Sequence, residues 1–143
     1  MSIEAHKEAS RRLYVEVFGA GNFDAADEIL AADCVSHAAD APPRVGTAGI
    51  KQQAALLRTA IPDLTSTLED QVAEGDRVVS RWLGSGTHTG PLQLPTGTVP
   101  PTGAKIAFGE IRIDRFENGR IVESWFIPDR LSLWQQLGLV SRP

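Results

Sequence analysis

An α+β fold, helices first and a mostly antiparallel sheet after them, is what this sequence predicts. Three observations carry the prediction. Helical spacing of apolar residues dominates the first 61 positions. Period-two alternation dominates residues 64–127. No internal repeat or linker separates the halves, so the helices are expected to pack on one face of a curved sheet, which can close around a hollow.

Residues 3–18, "IEAHKEASRRLYVEVF", read as the first helix. Ala9, Leu13 and Val17 recur every four positions, with Tyr14 and Phe18 beside them. Gly19 and Gly21 suit its end. "NFDAADEILAA" reads as a second, shorter helix, with Asn22 or Asp24 as its cap. "DCVSH" is a brief extended segment, and the prolines and glycine of "ADAPPRVGT" make a loop. A third helix is expected from Thr47, with Ile50, Ala54, Leu57 and Ile61 on its apolar face. Pro62 stops it, because proline lacks the amide hydrogen and disfavours helix in the residue before it.

"LTSTLEDQVAEGDRVVSRWLGSGTH" reads as two strands joined at Glu74-Gly75-Asp76, with Leu64, Leu68 and Val72 on one parity. "AKIAFGEIRIDRF" alternates as a third strand, with Gly109 as a candidate bulge. "ENGR" signals a tight hairpin, because Asn-Gly tolerates positive φ. "RIVESWFI" is its partner strand and "RLSLWQQLG" a closing helix. "PLQLPTGTVPPTG" is a long loop between paired strands.

The chain has 143 residues, 42% hydrophobic and 22% charged, and a net charge of −4. That suits one domain with a substantial core. Lys and Arg are scattered singly, so no nucleic-acid footprint is expected. No apolar run reaches membrane-spanning length. The charged start "MSIEAHKEASRR" has no apolar signal core, and the one cysteine, Cys34, has no disulfide partner within the chain. These features point to the cytoplasm and to no membrane partner.

The last strand carries the most interesting chemistry. Side chains alternate between faces. Ile121, Glu123, Trp125, Ile127 and, with the strand continued, Asp129 share one side; Val122, Ser124 and Phe126 share the other. With the first set turned to the hollow, Asp129 stands at its end beside an indole. Lost hydration would raise its pKa and fit it to move a proton near neutral pH. The plainer reading is that Asp129 caps the helix that follows. Both readings stand, and they are compatible.

His88 ends "SRWLGSGTH" on the parity of Gly86, Gly84 and Trp82. The two glycines leave room for close approach of backbone or ligand, so His88 either lines the hollow or is a hydrogen-bonded loop residue. His37 follows the second helix and is either structural or pocket-lining. The histidines lack metal-ligand spacing, so no metal is expected. Tyr14 belongs with the core stripe, its hydroxyl needing a partner. Cys34 reads as a small buried hydrophobe. No Gly-x-Ser-x-Gly elbow or dinucleotide fingerprint is present. Glu110 and Arg112 share a face, with solvent as the default reading.

At this point the motifs resemble a family. "IPDLTSTLEDQVAEGDRVVSRWLGSGTHTG", "PPTGAKIAFGEIRIDRFENGRIVESWFIPD" and "LWQQLG" are similar to the SnoaL-like polyketide cyclases, within the group that shares the nuclear-transport-factor-2-like fold. The combination of Pro62-Asp63, Glu74-Gly75-Asp76, Gly86-Thr87-His88-Thr89-Gly90, Pro101-Thr102-Gly103 and Glu123-x-Trp125 followed by Asp129 carries the resemblance. It implies an NTF2-like (cystatin-like) cone over residues 1–143, with three N-terminal helices enclosing a cavity. It also implies a homodimer, and an Asp general acid/base in an intramolecular aldol ring closure that needs no metal, nucleotide or other cofactor.

The matching acid is Asp129, with His88 near it. His37, Trp82 and Trp125 would line the pocket, and Tyr14, Phe108 and Glu110 complete the candidate substrate-binding set. The substrate would be a small hydrophobic carbonyl compound, polyketide-like. Asp129 would remove a proton between two carbonyls, the enolate would attack a carbonyl of the same molecule, and His88 or a water would stabilise the oxyanion.

Rivals remain open. A ketosteroid-isomerase-like acid after the second helix is not matched, since His37 stands there. An epoxide-hydrolase-like Arg-x-Asp is missing from "RVVSRWLGSGTH". A dehydratase could use His88 and Asp129. A non-catalytic protein could hold a small apolar ligand in the hollow. An open, mixed-polarity cavity beside the acid would favour an enzyme.

Overall fold

A computed structural model describes residues 2–141. Helix α1 spans Ile3–Arg12 and continues as wider π-type turns over Leu13–Gly19. Its start is set by Ser2, whose hydroxyl accepts from the Ala5 amide at 3.1 Å, while Arg11 and Arg12 complement the dipole at its end. The π-type turns bury Leu13, Tyr14, Val17 and Phe18. Arg58 closes them, donating from its Nη1 to the Phe18 and Gly19 carbonyls at 3.1 and 2.5 Å. Helix α2 is short, Ala25–Ile29.

Strand β1 then runs Leu30–Ala38 and β2 Ala41–Val45. Both differ from the sequence expectation, which extended the second helix through Ala32 and left residues 39–47 as loop. The parallel pairing with β8 begins at Leu30, opposite Ile121, and resumes at Val35–Ala38, opposite Glu123–Phe126, so the chain leaves the helix before Ala31 and Ala32. Pro42 and Pro43 are accommodated because β2 is an edge strand. Helix α3 covers Gly46–Ala60.

Strands β3 (Thr65–Glu74), β4 (Arg77–Thr87), β7 (Lys105–Glu117) and β8 (Arg120–Pro128) form the antiparallel meander. The long loop contains a small hairpin, β5 (Leu92–Leu94) and β6 (Gly97–Val99). Helix α4, Arg130–Gln136, closes the described chain. The main sheet has the order β2-β1-β8-β7-β4-β3, and among the described residues only β1 and β8 pair in parallel.

The hairpin at "ENGR" forms as expected, with Asn118 and Gly119 at φ 51° and 77°. Gly109 is not a bulge, because β4 and β7 stay in register across it. The irregularities lie at Glu69, between the Leu68 and Asp70 pairings, and at Val122, between the Ile121 and Glu123 pairings. Each shifts parity. Past Glu69, Val72 turns outward and is 59% exposed. Past Val122, Ser124 and Phe126 turn inward beside Ile121, and Glu123, Trp125 and Ile127 go to the outer face. The expected inward set on β8 is therefore corrected.

Helices α1–α3 cover the concave face. One core cluster joins Leu13, Val17, Ile29, Ile50, Phe116 and Ile121; a second joins Ile61, Leu64, Ile106 and Leu133. Between these clusters the cone stays partly hollow.

Candidate active site

Strand β7 supplies the centre of the hollow. Its inward parity reads Phe108, Glu110, Arg112, Asp114, while Ile111 and Ile113 face outward. The default solvent reading of Glu110 and Arg112 is thus corrected. Arg112 is 3% and Asp114 1% exposed.

Behind the cavity wall Asp114 takes three hydrogen bonds: Arg112 Nε at 2.7 Å, Ser124 Oγ at 2.6 Å and Ser10 Oγ at 2.9 Å. These satisfy a buried charge that would otherwise be costly, and they fix the guanidinium. Its carbon lies 5.4 Å from the Tyr14 ring centre and 5.8 Å from that of Phe126.

The hollow has two adjoining parts that share lining residues. An inner chamber of about 50 Å³ is walled by Tyr14, Phe18, Leu64, Trp82, Phe108 and Arg112. A mouth of about 480 Å³ opens between β1–β2, the β5–β6 hairpin and the start of α4. Gln53, Leu57, Phe108, Glu110 and Phe126 line both parts, so Glu110 stands at their junction. Gly84 keeps the inner chamber open toward Phe108, whose ring would lie 3.0 Å from an added Cβ. Arg130 lies at the mouth, its Nε 2.7 Å from Asp40 Oδ2.

Glu110 is electrostatically distinct. Burial pushes its pKa from 4.5 up to about 7, with Asp114 adding to the rise and Arg112 and Arg130 opposing it. The Tyr14 hydroxyl donates to Oε1, and Tyr14 is held in turn by stacking on Trp82 at 4.5 Å. A carboxylate poised between two protonation states at the junction of a chamber and its mouth can take and return a proton.

The structure brings four of the sequence-nominated residues, Tyr14, Trp82, Phe108 and Glu110, to this one cavity. It places the other four elsewhere. Asp129 is exposed and caps α4, accepting from the Ser132 amide at 3.1 Å. It lines an outer-face pocket with Glu69, Arg81, Leu83, Ile111 and Ile127, and the same pocket reaches Trp82 and Glu110.

His88 is fully buried at the end of β4, with Nδ1 bonded to Thr102 Oγ1 at 2.9 Å and to the Thr102 amide at 3.2 Å. It lines neither part of the hollow and shares no hydrogen bond with Asp129. His37 and Trp125 stack at 5.6 Å on the outer face, where His37 Nε2 meets Glu123 Oε2 at 2.8 Å. The bulge at Val122 is the physical reason that Trp125 is not a cavity wall.

Arg112 is a site residue that the sequence reading misses; its signal is the Arg112-Ile113-Asp114 spacing, an Arg-x-Asp on β7 rather than β4. Here Asp114 lines neither part of the hollow and its oxygens are occupied by three donors, so it offers no free nucleophile. Among the described residues no group of three His, Cys, Asp or Glu side chains could hold a metal ion. No helix among them is long and apolar enough to cross a membrane.

Comparison with known proteins agrees with this architecture. The family description of the SnoaL-like polyketide cyclases matches residues 8–137, and the chain belongs to that family. A candidate SnoaL-like polyketide cyclase from Jannaschia sp. CCS1 superposes with a TM-score of 0.86 at 24% identity, covering 100% of this chain and 98% of that one. IdmH, a candidate polyketide cyclase from Streptomyces antibioticus, gives 0.77 at 32% identity over 93% of this chain and 98% of that one. A candidate polyketide cyclase from Acidithiobacillus ferrooxidans gives 0.79 at 32% identity over 96% and 98%. No curated protein matches by sequence. The α+β cone with a curved, mostly antiparallel sheet is therefore the fold of this chain.

Proposed function

We propose that this protein is a proton-transfer enzyme for a small hydrophobic carbonyl compound, with Glu110 as its general acid/base. One observation carries the reading: a single half-buried carboxylate, held by Tyr14, stands where the chamber meets its mouth in an otherwise largely apolar hollow, and burial pushes its pKa up to about 7. Tyr14 holds one carboxylate oxygen, and Oε2 has no donor among the described residues. That second oxygen takes a proton from the carbon next to a carbonyl. The enolate then attacks a second carbonyl of the same molecule, and protonated Glu110 returns its proton to the new alkoxide. Holding both ends in one hollow supplies much of the advantage over solution. Membership of the SnoaL-like family and the likeness to candidate polyketide cyclases support intramolecular aldol closure as the reaction. A single carboxylate suffices for this chemistry, so the proposal invokes no cofactor.

The resemblance pointed to Asp129 as the base, while the geometry favours Glu110. Exchange of α-protons of 2-tetralone in deuterium oxide, followed by proton NMR, separates the two. Wild type should accelerate exchange, Glu110→Gln should lower it by about a hundredfold or more, and Asp129→Asn should leave it within about threefold, which is about 0.7 kcal/mol. The opposite pattern would return the role to Asp129. No acceleration by wild type, with the ketone nonetheless bound, would make this a ligand-binding protein.

The same reading includes a homodimer. Leu83, Ile111 and Ile127 expose 38%, 51% and 66% of their surface on the outer sheet face, a patch suited to a second copy. Light scattering after size exclusion tests it; a monomer at high concentration would rule it out.

A further inference from the structure

Two buried donors in the inner chamber lack acceptors. Arg112 Nη2 and Trp82 Nε1 make no hydrogen bond to any described residue. The residues are 3% and 2% exposed, and both line the inner chamber. Buried N–H groups without partners are uncommon and costly, and each calls for an explanation.

Neither side chain is free to swing away. Nε of Arg112 is held at 2.7 Å by Asp114, which Ser124 and Ser10 hold in turn. Trp82 is stacked on Tyr14. The Tyr14 hydroxyl is already spent on Glu110. Rigid side chains that line a small chamber and carry unpaired donors, with one carboxylate nearby, complement an oxygen that gains negative charge.

We infer that Arg112 and Trp82 form an oxyanion site that prefers an enolate oxygen to a neutral carbonyl, making Arg112 a second catalytic residue. The inference rests on the reading of Glu110 as the proton acceptor. The charges balance. Arg112 and Asp114 cancel. When the substrate C–H bond breaks, an O–H bond forms on Glu110 and the electron pair moves to the carbonyl oxygen. The chamber's net charge is unchanged; one negative charge has moved from Glu110 to an oxygen beside Arg112. A ligand carboxylate would instead add a second negative charge beside ionised Glu110. The inner chamber, about 50 Å³, has room for the reacting end of a ligand, and its apolar remainder fits the mouth of about 480 Å³.

The test compares two ligands of similar shape by calorimetry and tryptophan fluorescence on the full chain at pH 6. The first is 2-phenylindane-1,3-dione, a stable enolate in neutral water; the second is neutral 2-phenylindan-1-one. Wild type should bind the enolate at least about tenfold more tightly, the scale of one charge-assisted hydrogen bond.

Arg112→Met should abolish that preference and leave ketone affinity within about threefold, since it removes the charge and keeps the bulk. Arg112→Met strands Asp114, so the double variant Arg112→Met/Asp114→Asn serves if the single one does not fold. Trp82→Phe provides a third variant and should reduce the preference in part. Glu110→Gln should retain it, although the same change abolishes proton exchange.

An unchanged preference in the Arg112 variants, or wild type binding the ketone with no preference for the enolate, overturns the oxyanion site and leaves Glu110 as acid/base intact. Wild type binding neither compound overturns the oxyanion site, while 2-tetralone exchange still decides the role of Glu110.

Discussion

Replacing Glu110 by Gln removes an ionisable group from a place where burial disfavours its charge. The group's value rises from 4.5 to about 7 on folding. Between those two values the folded protein holds one more proton than the unfolded chain. Stability therefore falls as pH rises, by about 1.4 kcal/mol per unit. Over the roughly two and a half units between 4.5 and 7 the loss reaches about 3 kcal/mol. The contribution is fully present below pH 4.5 and gone once pH has passed 7. Glutamine is neutral throughout and still accepts from Tyr14, so the variant lacks this descent. Urea unfolding followed by tryptophan fluorescence at pH 5, 6, 7 and 8 measures it. The stability difference between variant and wild type should grow in the variant's favour from pH 5 to pH 8, by up to about 3 kcal/mol. Parallel pH profiles for the two proteins would refute the claim that Glu110 is a desolvated carboxylate.

Three further outcomes follow from the same structure. Tyr14→Phe removes the donor to ionised Glu110, so the Glu110 midpoint should rise by roughly half a unit to one unit, and exchange activity lost at pH 7 should return at higher pH. Asp129→Ala should cost about 1 kcal/mol in urea unfolding by loss of the α4 cap, with α-proton exchange unchanged; abolished exchange in a folded variant would contradict the placement of Asp129 outside the reaction. Gly90→Ala would put a Cβ 1.9 Å from the Thr59 carbonyl oxygen, so backbone must move, and a loss of about 3 kcal/mol or more is expected; normal stability would show the β4–α3 junction to be looser than described.

The order of helices and strands was readable because period 3.6 and period 2 are well separated in this chain, and because Asn118-Gly119 marks its hairpin. The site was harder to read. A strand is normally taken to bury its apolar parity. On β7 the apolar pair Ile111 and Ile113 faces outward, and the polar run Glu110, Arg112, Asp114 faces inward. That inversion sets Glu110 and Arg112 on the wall of the hollow and Asp114 behind it. The second obstacle was parity on β8. One inserted residue, Val122, exchanges the faces of everything after it. A reading that counts alternate positions from Ile121 therefore sends Trp125 inward and Ser124 outward, the reverse of what is found. Asp129, His88 and His37 each had two readings in the sequence. Asp129 caps α4 and His88 is a hydrogen-bonded loop residue; His37 lies on the outer face with Glu123. No local pattern could have shown which face each of these residues takes, because that depends on registers set far along the chain.

The most direct test of the central claim is an NMR titration of the Glu110 side-chain carboxyl carbon in the folded protein, assigned by comparison with Glu110→Gln. A midpoint near 7 is predicted from burial, which outweighs the opposing charges of Arg112 and Arg130. A midpoint near the ordinary 4.5 would mean a hydrated carboxylate, and Glu110 would lose its place as the proton-transfer group.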